Sequence, residues 1–256
     1  MSGFFYVFTA VVGAAVGSFL NVLICRIPGG RSIISPPSHC PQCNHHIRFY
    51  DNIPLISYVI LRGRCRDCRQ KISLRYPAVE LLTAVMSLLL FWKFGISLKY
   101  LFSFVFTCAL IVITFIDLDH QIIPDVITLP GIPFFFLTAV FAMDMPVMDA
   151  LLGIVIGGGS LYLVAVAYEL ITKREGMGGG DIKLLAMLGA FLGWKSLFYT
   201  LFVSSLLGAA VGITFMIVRG KDMKYAVPFG PFLAVAAVSY LFVGHDLMRF
   251  VFPAYY

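Results

Sequence analysis

Charge is what this sequence has least of: only 12% of its 256 residues are Asp, Glu, Lys or Arg, while 60% are hydrophobic. A soluble domain carries about 25% charged and about 45–50% apolar residues. The shortfall excludes an ordinary water-surrounded core and points to a multispanning membrane protein. No base precedes Arg26, so the positively charged opening of a secretory signal peptide is missing and a retained first span is expected. No aromatic-interleaved basic motif accompanies the net charge of +6, which leaves a nucleic-acid surface without support.

Long apolar stretches predict an all-α polytopic fold with about eight transmembrane helices, at roughly 4–24, 78–94, 98–116, 126–143, 150–171, 182–193, 196–218 and 227–243. The sixth is about a dozen residues, short of the ~20 that cross the hydrocarbon core. Tilting, borrowing from its neighbours or a broken helix are open alternatives. Basic residues set the orientation. Arg26, Arg31, Arg48, Arg62, Arg64, Arg66, Arg69, Lys71 and Arg75 fall in the first loop, Lys173, Arg174 and Lys183 in another, and Arg219, Lys221 and Lys224 in a third. Against them stand Lys93, Lys99, Lys195 and Arg249. The positive-inside rule puts the first loop in the cytoplasm and both termini outside.

That loop, residues 25–77, holds Cys40-Pro-Gln-Cys43 and Cys65-Arg-Asp-Cys68, with 21 residues between the pairs. Two C-x2-C knuckles supply a tetrahedral thiolate cage for structural zinc, and a separation one residue beyond the usual range is absorbed by a longer hairpin. A reducing cytoplasm argues against disulfides. Four thiolates leave no open position to activate water, so the expected zinc-ribbon-like site is structural. His39, His45 and His46 are alternative ligands or plain loop residues; Cys25 and Cys108 read as small apolar fillers.

Residues 176–183 read GMGGGDIK. A dinucleotide fingerprint would need glycine where Asp181 stands, and a phosphate loop would end Gly-Lys-Ser/Thr rather than Gly-Asp-Ile-Lys. An acid aimed at phosphates would also repel them. A second polar island, FIDLDHQIIPD at 115–125, carries Asp117, Asp119, His120 and Asp125. Ionisable groups at membrane depth face a bundle interior or a cavity, and two adjacent carboxylates share one proton. Such a pair cuts peptide bonds: one Asp draws a proton from water while its protonated partner polarises the carbonyl. Asp117 and Asp181 lie on different predicted helices at the same cytoplasmic end. Gly178, Gly179 and Gly180 let backbone approach closely and leave room for an extended substrate.

Asp181 in its G-x-G-D setting, Asp117 seven residues before Pro124, the CPQC/CRDC loop and AVPFGPFLA at 226–234 together resemble the type IV prepilin peptidases, membrane aspartic peptidases of the G-x-G-D kind. The resemblance covers nearly the whole chain. It implies a first transmembrane helix at 1–24, a cytoplasmic four-cysteine loop at 25–77 and a peptidase core at 78–256. It makes Asp117 and Asp181 the catalytic pair. It implies a bacterial inner-membrane enzyme that removes the basic leader of prepilins or pseudopilins after a glycine, on the cytoplasmic side. Bifunctional members then methylate the new N-terminus with S-adenosylmethionine, and the cysteine loop is the feature associated with that second activity. Which pilin, pseudopilin or competence protein is processed stays open, as does the oligomeric state.

The other polar residues have plainer readings. Asp119 cannot share the helical face of Asp117 and reads as a loop acid; His120 reads as an interfacial loop histidine. Asp125 after Pro124 suits a helix N-cap. Lys183 snorkels to headgroups or, with Lys173 and Arg174, holds an acid of the substrate. Glu80 suits the first turn of the second span. Asn21 and Glu169 suit interhelical hydrogen bonds. Two rivals stand: a transporter relaying protons or cations through Asp117, Asp119 and Asp181, and a zinc metallopeptidase, for which no H-E-x-x-H helix exists.

Overall fold

The computed structural model describes residues 2–173, 178–219, 228–244 and 246–248; Arg174, Gly176, Lys221, Lys224, Ala226, Val227 and Arg249, all used above, lie outside them. Contacts group the chain into two compact units, Met1–Val112 and Ile113–Tyr256. Among the described residues the regular structure is helical, with no strand beyond two isolated bridges.

In the first unit α1 (Ser2–Arg26) packs along α3 (Arg75–Phe94). Lipid is as apolar as leucine, so helices in membranes associate through close approach and interhelical hydrogen bonds. Both are present. Gly13 and Gly17 stand one turn apart on α1, and a Cβ at either would come within 2.7 Å of α3, at Ser87 Cβ and Glu80 Cα respectively. Ser87 Oγ donates to the Thr9 carbonyl at 2.9 Å, and Asn21 Nδ2 to the Tyr76 carbonyl at 3.1 Å. The interhelical bond expected of Asn21 is therefore formed.

The chain between α1 and α3 forms a small ribbon, with a 3-10 turn at Phe49–Asn52 and the short helix α2 at Ile56–Ile60. Its anchor to the membrane helices is Glu80, whose Oε2 accepts the Leu55 N–H at 2.8 Å. This corrects the first-turn reading of Glu80. The span begins at Arg75 rather than 78, so Glu80 sits in its second turn, buried. Its carboxylate satisfies a loop amide rather than a helix end.

Helix α4 (Leu98–His120) starts in the first unit and ends in the second. It continues past the expected end at 116 and carries Asp117 as expected, while Asp119 and His120 are helical rather than loop residues. The second unit then runs α5 (Asp125–Ala142), α6 (Val147–Thr172), α7 (Gly179–Leu192), α8 (Lys195–Arg219) and α9 (Gly230–Ser239), which leads into a π-helical turn at Tyr240–Gly244. Pro124 and Pro146 stand immediately before α5 and α6, where a residue without an N–H costs no intrahelical bond.

Helix α7 is the core of this unit. It touches α5, α6, α8 and α9, and every residue from Leu184 to Leu192 is buried. At 14 residues it is about 21 Å long, less than the ~30 Å hydrocarbon core. A helix surrounded by protein has no need to match lipid thickness. Its contact with α6 is backbone on backbone: a Cβ on Gly153 would overlap the Gly189 carbonyl, and one on Gly189 would overlap that of Gly153. Six helices, α1, α3, α4, α5, α6 and α8, are long and apolar enough to span a membrane. The remaining two expected spans correspond to α7 and Gly230–Gly244, both shorter. Glu169 is exposed on α6 rather than interior, and Cys25 is exposed while Cys108 is buried, so only the latter is a filler.

Candidate active site and cysteine centre

Asp117 lies three residues from the end of α4 and is only 5% exposed. Its Oδ2 accepts the backbone N–H of Gly230, the first residue of α9, at 3.0 Å. That approach depends on glycine: a Cβ on residue 230 would stand 2.6 Å from the same oxygen. Asp181 occupies the first turn of α7, just after the N-cap Gly178, and it lies within electrostatic reach of the Asp117 carboxylate. Ile123 links the two positions. A Cβ on Gly180 would press on Ile123 Cβ at 2.8 Å, and one on Gly230 would meet Ile123 Cδ1 at 3.4 Å. Gly180, next to Asp181, and Gly230, which holds Asp117, thus both pack on one isoleucine in the turn between α4 and α5.

Of the described glycines just before Asp181, Gly178 and Gly179 have open space where a side chain would be, and Gly180 packs closely. Asp119 and His120 are exposed, and helical spacing sets Asp119 off the face of the buried Asp117.

Asp125 and Lys183 differ from expectation. Asp125 is the first residue of α5, the N-cap is Pro124, and no side chain caps the helix. Instead both oxygens of Asp125 accept from Lys183 Nζ, at 2.8 and 2.7 Å. Lys183 thus joins the starts of α5 and α7. Lys173 ends α6 in a left-handed conformation, exposed.

The four cysteines do converge. Cys40, Cys43, Cys65 and Cys68 place their sulfurs within 4.8 Å of one another, with Cys40 and Cys68 Sγ 3.8 Å apart. Zinc–sulfur bonds of about 2.3 Å in a tetrahedron give an edge of about 3.8 Å, so the donor set and its size suit zinc. The two knuckles repeat one backbone design. Cys40 N–H donates to the His45 carbonyl and Asn44 N–H to that of Cys40; Cys65 N–H donates to Gln70 and Arg69 N–H to Cys65. Asn44 and Arg69 both take positive φ, and the bridges His39–His46 and Arg64–Lys71 close the two turns. The Cys43 N–H, donated to Cys40, is the largest influence bringing that thiol down to about 7. No histidine joins the cluster among the described residues. Beside it Asp51 receives a two-pronged bond from Arg66, at 2.8 Å from Nε and 2.6 Å from Nη2.

The family model described as the bacterial peptidase A24 N-terminal domain matches residues 11–94, and that of the type IV leader peptidase family matches residues 104–213. A Pseudomonas putida protein named prepilin leader peptidase/N-methyltransferase is 41% identical, over 91% of this chain and 88% of its own. Proteins of the same name from Pseudomonas aeruginosa and Neisseria gonorrhoeae are 38% and 40% identical, covering 96% and 92% of this chain and 92% and 90% of theirs. No solved structure matches the chain.

Proposed function

The chain belongs to the type IV leader peptidase family, and from that premise we propose that it removes the leader from prepilins or pseudopilins after a glycine and N-methylates the residue exposed. The carrying observation for the peptidase is the buried Asp117, held by the Gly230 N–H, within electrostatic reach of Asp181 in the first turn of α7. The rival transporter finds no counterpart among the relatives, which are named as peptidases and methyltransferases.

In the proposed reaction Asp117 and Asp181 hold one proton between them, because neighbouring carboxylates do not both ionise. They titrate as a unit. The ionised member takes a proton from water as the water oxygen bonds to the scissile carbonyl carbon. The protonated member gives its proton to the carbonyl oxygen, forming a tetrahedral diol. When the C–N bond breaks, the first Asp returns its proton to the leaving amine and the second recovers one from a diol hydroxyl. Both carboxyls end as they began. The Gly230 N–H fixes one oxygen of Asp117 throughout, and the open space at Gly178 and Gly179 leaves an extended leader junction room beside Asp181.

Cys40, Cys43, Cys65 and Cys68 would hold zinc as a structural clasp of the ribbon, with no position left for water. S-adenosylmethionine would supply the methyl group. The ribbon's open cleft does not suit it, since Arg62, Arg64 and Lys71 line that cleft and would repel a sulfonium cation. The basic first loop supports a cytoplasmic face for the ribbon and the active site, in the bacterial inner membrane.

The test is processing by purified protein in detergent. Cleavage of a prepilin peptide after its glycine, with no membrane or ion gradient present, is the expected result. A protein that binds the peptide without cutting it, yet moves cations in vesicles, would restore the transporter.

A further inference from the structure

The ribbon exposes an apolar face next to a basic cleft, at a depth its own hydrogen bonds define. On α2, Ile56, Val59 and Ile60 stand at i, i+3 and i+4, one face of a helix; Val59 is 74% and Ile60 69% exposed. Leu74, the residue before α3, is 73% exposed. Ile56, Val59, Ile60 and Leu74 are four exposed apolar positions in an otherwise polar loop, and Leu74 stands where the chain enters α3. Glu80 lies about 7.5 Å along α3 from Arg75, and it accepts the N–H of Leu55, the residue before α2. Helix α2 therefore begins level with the first two turns of a span whose 20 residues match the hydrocarbon thickness. That is the headgroup and upper acyl zone, where interfacial helices bury their apolar faces.

The exposed Leu74 borders a cleft of about 570 Å³ that follows α2 in the chain and is lined also by Tyr58, Arg62, Arg64, Lys71 and Ser73. Two of the ribbon's other bases are engaged, Arg66 with Asp51 and Arg48 with the Tyr50 hydroxyl and Asp67. Arg62, Arg64 and Lys71 face no acid among the described residues. Three uncompensated cations at headgroup depth, adjoining an apolar foot, match a molecule with a phosphate at one end and acyl chains at the other.

We infer that α2 is an interfacial foot and that the cleft beside it takes the phosphate of an anionic phospholipid. Zwitterionic lipid carries a choline or ethanolamine cation that the three bases disfavour; a single-charge phosphatidylglycerol headgroup does not. The lipid then holds the ribbon against the bilayer at a second point besides Glu80. The inference does not depend on the peptidase reading.

The experiment is hydrogen exchange of residues 53–74 in the full-length protein, in nanodiscs of phosphatidylcholine with and without phosphatidylglycerol. Exchange should slow by roughly tenfold with phosphatidylglycerol. Inorganic phosphate added to phosphatidylcholine discs should not reproduce the effect. The triple substitution Arg62→Gln, Arg64→Gln, Lys71→Gln should abolish it while the cysteine site keeps its zinc. Equal exchange of the unmodified protein in both lipids overturns the proposal without reference to any variant. So does protection that survives the triple substitution, or protection by inorganic phosphate alone, which would make the cleft a free-phosphate site.

Discussion

Lys183 reaches from α7 to the Asp125 carboxylate on α5, with Nζ 2.7 Å from Oδ2 and 2.8 Å from Oδ1. The partners lie 58 residues apart in sequence. Asp181 is two residues before Lys183, and Asp125 closely follows Ile123, so the ion pair fixes the two segments that carry the proposed site. Both side chains are partly exposed, 35% and 53%, which limits the coupling to about 0.2–1 kcal/mol. Lys183→Ala should slow leader cleavage severalfold. Exchanging the charges, Lys183→Asp with Asp125→Lys, should recover part of the rate, and a double-mutant cycle on turnover measures it.

Gly230→Ala introduces a Cβ 2.6 Å from Asp117 Oδ2. One of the two must move by about an ångström, a displacement that costs roughly 10²-fold in rate. The variant should stay folded, with kcat reduced and KM little changed in a steady-state peptide assay.

Gly153→Ala places a methyl group on the Gly189 carbonyl. Helix α7 is enclosed by its neighbours and has little freedom to retreat. A destabilisation of about 1–3 kcal/mol is expected, as for overpacked cores, read as a lower unfolding temperature in detergent.

The Arg66 guanidinium beside Asp51 holds its carboxyl below the usual carboxylate range. A depressed acid adds stability above its unfolded pKa, about 3.9, and that contribution disappears as pH falls through the lower, folded value. Asp51→Asn should therefore weaken the ribbon at neutral pH and make no difference in strong acid. Hydrogen exchange of residues 49–70 at the two pH values checks the sign.

Zinc removal should loosen the ribbon around Cys40, Cys43, Cys65 and Cys68 without directly stopping peptide hydrolysis, since the proposed chemistry uses carboxylates alone. Chelation followed by separate measurement of ribbon exchange and leader cleavage distinguishes these effects.

The sequence made the helices legible because lipid demands long apolar runs, and the cysteine centre legible because each knuckle is local. Contacts between distant segments were less visible. Asp125 resembles an N-cap in isolation, and only the fold brings Lys183 to it. Glu80 looked like a first-turn acid because the polar residues ahead of it hid the true start of α3 at Arg75. The brevity of α7 was apparent, but its cause, burial on all sides by α5, α6, α8 and α9, was not. One signal went unused: Gly13/Gly17 and Gly153/Gly157 are both G-x-x-x-G pairs, the spacing that lets membrane helices touch, and each lies at a helix contact.

The most direct measurement is leader cleavage by purified, folded Asp117→Asn and Asp181→Asn proteins, each against the unmodified enzyme on the same prepilin. Both single variants should lose processing by several orders of magnitude while retaining their zinc and their thermal transition. Ordinary turnover by either one would mean that the bond is cut by other groups.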